Sequence, residues 1–163
     1  MTRDSTRARY YETEGLIFAL VDRPGGRAHT VQVAGATLTL PAEARFGSVE
    51  AVQRYVDEVL ALPSVRDRFD RARRPVRVRG RRSAGRAHYA PDTAEIAIPD
   101  GADGRWAMRE LLVLHECAHH LTDPGAAAHG PEFTHTLIDL VGLVLGPEFA
   151  LVYRVLLGDA ELA

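Results

Sequence analysis

The chain reads as two kinds of segment. Short apolar or alternating runs dominate its first two thirds, and long apolar stripes at helical spacing dominate the rest. Residues 16–21 are a continuous apolar run of strand length, so they predict a buried strand. Pro24, Gly25 and Gly26 then predict a turn. Residues 29–40 predict one long strand, or a hairpin bent near Gly35. Ser48 stands where an N-cap belongs, ahead of a stripe formed by Val49, Val52, Val56, Val59 and Leu60. That pattern predicts a helix to about Leu62, ended by Pro63. Val76 and Val78 alternate with Arg77 and Arg79, the signature of a strand with one wet face. Residues 87–90 and 95–98 flank Pro91-Asp92-Thr93 and predict a hairpin, followed by a loop over residues 100–104.

Three helices are expected after that loop. The first covers about residues 105–122 and stops at Asp123-Pro124-Gly125, because a residue before proline is pushed out of the helical region. The second opens at Gly130-Pro131 and runs to about Leu145, with Phe133, Leu137, Leu140, Val141 and Val144 on one face. The third opens at Gly146-Pro147 and runs through Leu157. Strands and a helix followed by three helices predict an α+β fold. The length of 163 residues suits one domain. The organisation expected is a polar N-terminal segment over residues 1–14 and a single domain over residues 15–163.

Composition adds exclusions. Hydrophobic residues at 46% and charged residues at 26% exclude a disordered or fibrous chain. Cys117 is the one cysteine, so no disulfide forms within the chain, and a reducing compartment is expected. The polar start carries no apolar core of signal-peptide length. Residues 137–157 are the most apolar stretch, but Asp139, Glu148, Arg154 and the Gly146-Pro147 break argue against a membrane span. A cytoplasmic protein is expected.

The net charge of -2 gives no general attraction to nucleic acid, yet charge is uneven along the chain. All 20 basic residues are arginine, and ten of them fall between Arg66 and Arg86, against only Asp67 and Asp70. Such a cluster offers phosphate contacts. The alternation at residues 76–79 accounts for part of it as a solvated strand face, and no interleaved aromatics supply a stacking platform.

The chemistry lies in His115-Glu116-Cys117-Ala118-His119. Helical positions four apart differ by about 40° around the axis, so both imidazoles point the same way and can hold one metal ion. Glu116 lies about 100° round from His115, placed to overhang the ion without ligating it. Zinc lowers the pKa of a water it holds to about 7, and a carboxylate there takes the proton as general base. Met108, Leu112, His115 and His119 share one stripe, so the histidines extend a face that begins apolar and should lie at the floor of a cleft. A catalytic zinc wants a third protein ligand. His129 is the first candidate, after a small-residue loop and just ahead of Pro131. Asp139 is its main rival, and Glu132, His120 and His135 are of suitable type. His120 points about 100° away from the histidine stripe.

His115-Glu116-Cys117-Ala118-His119 followed by His129-Gly130-Pro131-Glu132-Phe133 resembles the SprT-like and Spartan-type metalloproteases. It is similar, more closely still, to small bacterial metallohydrolases with the same layout. The resemblance covers about residues 105–145, and its loop between His119 and His129 is shorter than in the Spartan type. It implies a zincin-like α+β fold, with a mixed sheet over the active-site helix and further helices C-terminal to it. It also implies zinc held by His115, His119 and His129, with Glu116 as catalytic acid/base. Gly-Pro-Glu-Phe occurs again at residues 146–149 after Leu145, so the tetrapeptide itself reads as a helix start and His129 is the informative residue.

The expected activity is zinc-dependent hydrolysis, of a peptide bond first. A peptide or protein substrate is expected to run along a sheet edge, residues 87–90 or 95–98. The alternative is a non-catalytic metal-binding or nucleic-acid-binding regulatory protein using the arginine cluster. Cys117 is expected in the core and His29 and His88 on strands. Tyr89 and Tyr153 are potential oxyanion donors whose ordinary role is packing.

Overall fold

The computed structural model describes residues 3–22, 29–82, 85–160 and 162, so the turn expected at Pro24-Gly25-Gly26 lies outside the described residues. The elements in chain order are α1 (Arg3–Val21), β1 (His29–Val33), β2 (Ala36–Leu40), α2 (Val49–Ala61) and α3 (Pro63–Arg68). A 3-10 turn (Asp70–Arg73) leads to β3 (Arg77–Arg81), β4 (His88–Ala90) and β5 (Glu95–Pro99). A second 3-10 turn (Ala102–Ala107) precedes α4 (Glu110–Leu121), α5 (Pro131–Leu145) and α6 (Pro147–Asp159). The fold is α+β, and the chain divides into two compact units, Met1–Glu43 with Ala126–Ala163, and Ala44–Gly125.

In the first of these units, the strand expected over residues 16–21 is instead the end of α1. Tyr10, Thr13, Glu14, Ile17 and Val21 are buried, at helical spacing, so the helix has an inward stripe. Two polar members hide that stripe from a hydrophobic pattern, and a short apolar run cannot tell strand from helix. The helix also runs straight through residues 14 and 15. Of the long strand and the hairpin that residues 29–40 allowed, the hairpin is present, with His29 opposite Leu40 and Val33 opposite Ala36. Ala34 (φ 49°) and Gly35 (φ 79°) are its two turn residues, and two positive φ values suit the right-handed twist of a tight hairpin. Helix α6 packs against α1, α5 and β2. The core of this unit includes the fully buried Tyr10, Ile17, Leu40, Phe133, Leu137, Phe149 and Tyr153. Each large apolar side chain so buried contributes roughly 1.5–3 kcal/mol.

The other unit, Ala44–Gly125, begins with α2. Ser48 caps it, its hydroxyl accepting from the Ala51 N–H at 3.1 Å, and Val52, Val56, Val59 and Leu60 form the buried face. Pro63 ends α2 and also occupies the first turn of α3, which sequence patterning left unassigned. The sheet is mixed, in the order β3-β5-β4, with β3 parallel and β4 antiparallel to β5. Val76 and Val78 are buried while Arg77 and Arg79 are exposed, the wet face expected of β3. Helix α4 packs against β4 and α2.

Helix α4 starts later than residue 105, where the sequence pattern placed its beginning. Arg45 bridges Arg109 in antiparallel fashion, Phe46 N–H donates to Met108 O at 2.9 Å, and Glu110 N–H donates to Ala44 O at 3.0 Å. Arg109 is thereby held in extended pairing and serves as the N-cap. The Glu110 carboxylate completes the clasp, accepting from Tyr55 Oη at 2.5 Å and from Ala44 N–H at 2.7 Å. Both oxygens of this buried carboxylate are thus satisfied, which removes most of the cost of burying it.

Candidate metal centre

Helix α4 is buried along nearly its whole length, including His115, Glu116, Cys117 and His120, with His119 half-buried. Met108 and Leu112, which lead the same stripe, are buried too. The one-turn spacing brings His115 Nε2 and His119 Nε2 to 3.2 Å, with the ring planes at 66°. Two nitrogens bound to one tetrahedral zinc at about 2.0–2.1 Å stand about 3.3 Å apart. The pair therefore has the spacing of two ligands on one ion. Both are imidazoles, a ligand type that zinc favours.

His129 belongs to the other unit and is buried there among aromatic rings. Its ring centroid lies 4.8 Å from that of Tyr10, 5.3 Å from Tyr11 and 5.1 Å from Phe133. Its backbone is in the left-handed region, φ 60°. Gly130 N–H donates to Ala127 O at 2.9 Å, so His129 holds the third position of a four-residue turn. A positive φ there is ordinarily supplied by glycine or asparagine. A non-glycine residue held so costs roughly 1–3 kcal/mol and persists where its surroundings over-determine it. His115, His119 and His129 each offer one ring nitrogen of the kind that ligates a metal ion.

The other candidates are placed differently. His135 and Glu132 are exposed on α5, and Asp139 is half-buried on the same helix. His120 is fully buried and committed elsewhere. Its Nε2 lies 3.2 Å from Arg71 O and 3.1 Å from Arg74 O, and carbonyls only accept, so Nε2 carries the proton. Nδ1 is then the acceptor for the Tyr89 hydroxyl at 2.9 Å. Burial pushes His120 below the usual imidazole range, and the Arg71 guanidinium adds to the push. Tyr89 has spent its one proton on His120, which removes it as an oxyanion donor. Tyr153 is fully buried in the core of its own unit. Burial pushes the Cys117 thiol up to about 12, with Glu116 adding to the effect. Cys117 is a core residue, as expected, and no thiolate chemistry is open to it near neutral pH.

The arginine cluster does structural work. Arg66 Nε donates to Leu60 O at 3.0 Å, Arg71 Nε to His120 O at 2.6 Å, and Arg73 Nη1 to Arg66 O at 3.0 Å. Arg77 and Arg79 lie 3.8 and 3.7 Å from Glu95. Several of the ten thus cap backbone carbonyls or neutralise one carboxylate.

Of the two sheet edges considered for substrate, residues 95–98 fall in β5, which is the centre of the sheet; the correction follows from β3 pairing with β5 in parallel. Among the described residues, β4 keeps one side unpaired. Sequence reasoning missed three supports of the centre: Tyr10 and Tyr11 around His129, the Glu110 clasp, and the His120 network. The helical stripe of Tyr10, Ile17 and Val21 was the available signal for the first. The other two join residues far apart in sequence and had none. No family model, no curated protein and no solved structure matches the chain.

Proposed function

We propose that the chain is a zinc-dependent hydrolase acting on peptide bonds. In this reading His115, His119 and His129 hold the ion. The observation that carries it is the His115–His119 pair, Nε2 to Nε2 at 3.2 Å across one turn of α4, with buried Glu116 next to His115 in the chain. Zinc, when bound, supplies Lewis acidity, polarising the scissile carbonyl and bringing the pKa of water to about 7. The chain's own residues do the rest. Glu116 takes the proton from the attacking water and returns it to the departing amine. The peptide pairs with the open side of β4, which holds its backbone extended beside α4. No helix among the described residues is long and apolar enough to cross a membrane. Together with a single buried, free cysteine, that supports action in the cytoplasm on peptides or proteins.

The test starts with elemental analysis, which should give one zinc per chain. Glu116→Gln should then keep the zinc and the fold but lose hydrolysis of fluorescein-labelled, unfolded casein. The amide is nearly isosteric and takes no proton at neutral pH. Undiminished turnover by this variant would remove Glu116 as the base. A zinc-loaded wild type that cleaves nothing would favour a non-catalytic metal-binding protein.

A further inference from the structure

His120 is fully buried directly beside His119 and joins three elements of one unit. Its ring donates to the carbonyls of Arg71 and Arg74, and its own carbonyl accepts from Arg71 Nε. Its remaining nitrogen accepts from Tyr89, the middle residue of β4. The rings of Tyr89 and His120 meet edge to face, 5.5 Å apart. Strand β4 has only three residues, and β5 is its one strand partner among the described residues. So short an edge strand is weakly held by its ladder alone. The Tyr89 hydroxyl supplies a second attachment, from the strand to the last turn of α4.

We infer that His120 and Tyr89 are positioning residues, which anchor β4 to the turn that carries His119 and so hold a bound peptide in register with the metal ligands. This rests on the peptidase reading above. The anchor acts on where the substrate lies, not on the bond-making step. Loosening it should therefore weaken substrate binding while leaving kcat and zinc content alone.

Tyr89→Phe is the informative variant, because it removes one hydroxyl from a half-buried ring and leaves the packing. In the zinc-loaded full chain we expect faster amide exchange at residues 88–90. On labelled casein we expect KM to rise roughly tenfold, the size expected when one buried polar group loses its partner, with kcat unchanged. His120→Leu fills most of the ring's volume and has no acceptor for Tyr89. It should reproduce the rise in KM, and adding Tyr89→Phe to it should change nothing further. Unchanged exchange at residues 88–90 in Tyr89→Phe overturns the anchor. A fall in kcat at constant KM overturns the positioning role, as does full additivity of the two variants. A zinc-loaded wild type that leaves casein intact removes the peptidase reading and the substrate role with it, whereas the exchange measurement still reads the anchor.

Discussion

The same four residues, Gly-Pro-Glu-Phe, open both α5 and α6, and the two copies behave alike except at one point. In each, proline occupies the first helical turn and glutamate faces the positive end of the helix dipole. Phe133 and Phe149 are both fully buried. The difference is where the positive φ falls. Before α6, Gly146 itself takes φ 107°, which costs glycine little. Before α5, Gly130 is extended at φ -80°, and the left-handed residue is His129 at φ 60°. The second copy is a connector built at low cost. The first places its strain on an imidazole ringed by Tyr10, Tyr11 and Phe133. A turn that accepts a histidine where glycine would be easier is better explained by the ring it presents than by the needs of the chain.

The largest effects should be shared by the two copies. Phe133→Ala and Phe149→Ala should each destabilise by about 3–5 kcal/mol in denaturant melts, the usual cost of emptying a buried aromatic position. Only Phe133→Ala should also weaken zinc, because its ring packs on His129; equal zinc affinity in both variants would erase the contrast. The next effect should fall on one copy alone. His129→Ala should lower zinc affinity by more than about 100-fold, beyond the 10–100-fold typical of lost outer-shell partners. Leu145→Ala, at the matching position before α6, should leave affinity unchanged. Asp139→Asn should stay inside the smaller range; loss of the metal in this variant, with retention in His129→Ala, would transfer the ligand role to Asp139. The smallest effect concerns the backbone. Gly146→Ala should cost about 1–3 kcal/mol, because φ 107° with ψ 167° is a region open essentially to glycine alone, and Gly130→Ala less, since its φ is ordinary. The reverse order in thermal or chemical unfolding would mean that the tight approach of Ala127 to Gly130 outweighs φ.

Much of this was legible in the sequence because it is local. Ser48 as a cap, the Ala34-Gly35 bend, both Gly-Pro helix starts and the stop after Thr122 depend on a few neighbouring residues, and each is found where expected. The pairing of His115 with His119 is likewise one turn of helix. What was missed depends on distant partners. Thr13 and Glu14 break the apolar pattern of α1 although both are buried, so a helix reads as a polar segment and a strand. The start of α4 is set by residues 44–46, some sixty positions earlier, and a helical pattern alone runs past it. His120 has the right chemistry for a ligand, and only its direction on the helix marked it otherwise.

One property of the chain path bears on how the molecule comes to be made. The unit formed by Met1–Glu43 and Ala126–Ala163 is continuous in space but split in sequence, with Ala44–Gly125 lying between its parts. During synthesis α1 and the β1-β2 hairpin emerge well before their partner α6. Until residues 129–159 are made, the inward stripe of α1 lacks its native cover, whereas α2, the three-stranded sheet and α4 are complete within one uninterrupted stretch. Vectorial folding therefore favours the inner stretch as the first to consolidate. Joining the two ends afterwards closes a long loop, whose entropic cost grows only with the logarithm of its length. Assembly of the split unit should therefore follow that of the inner stretch, and removing α6 should leave part of α1 exposed to aggregation.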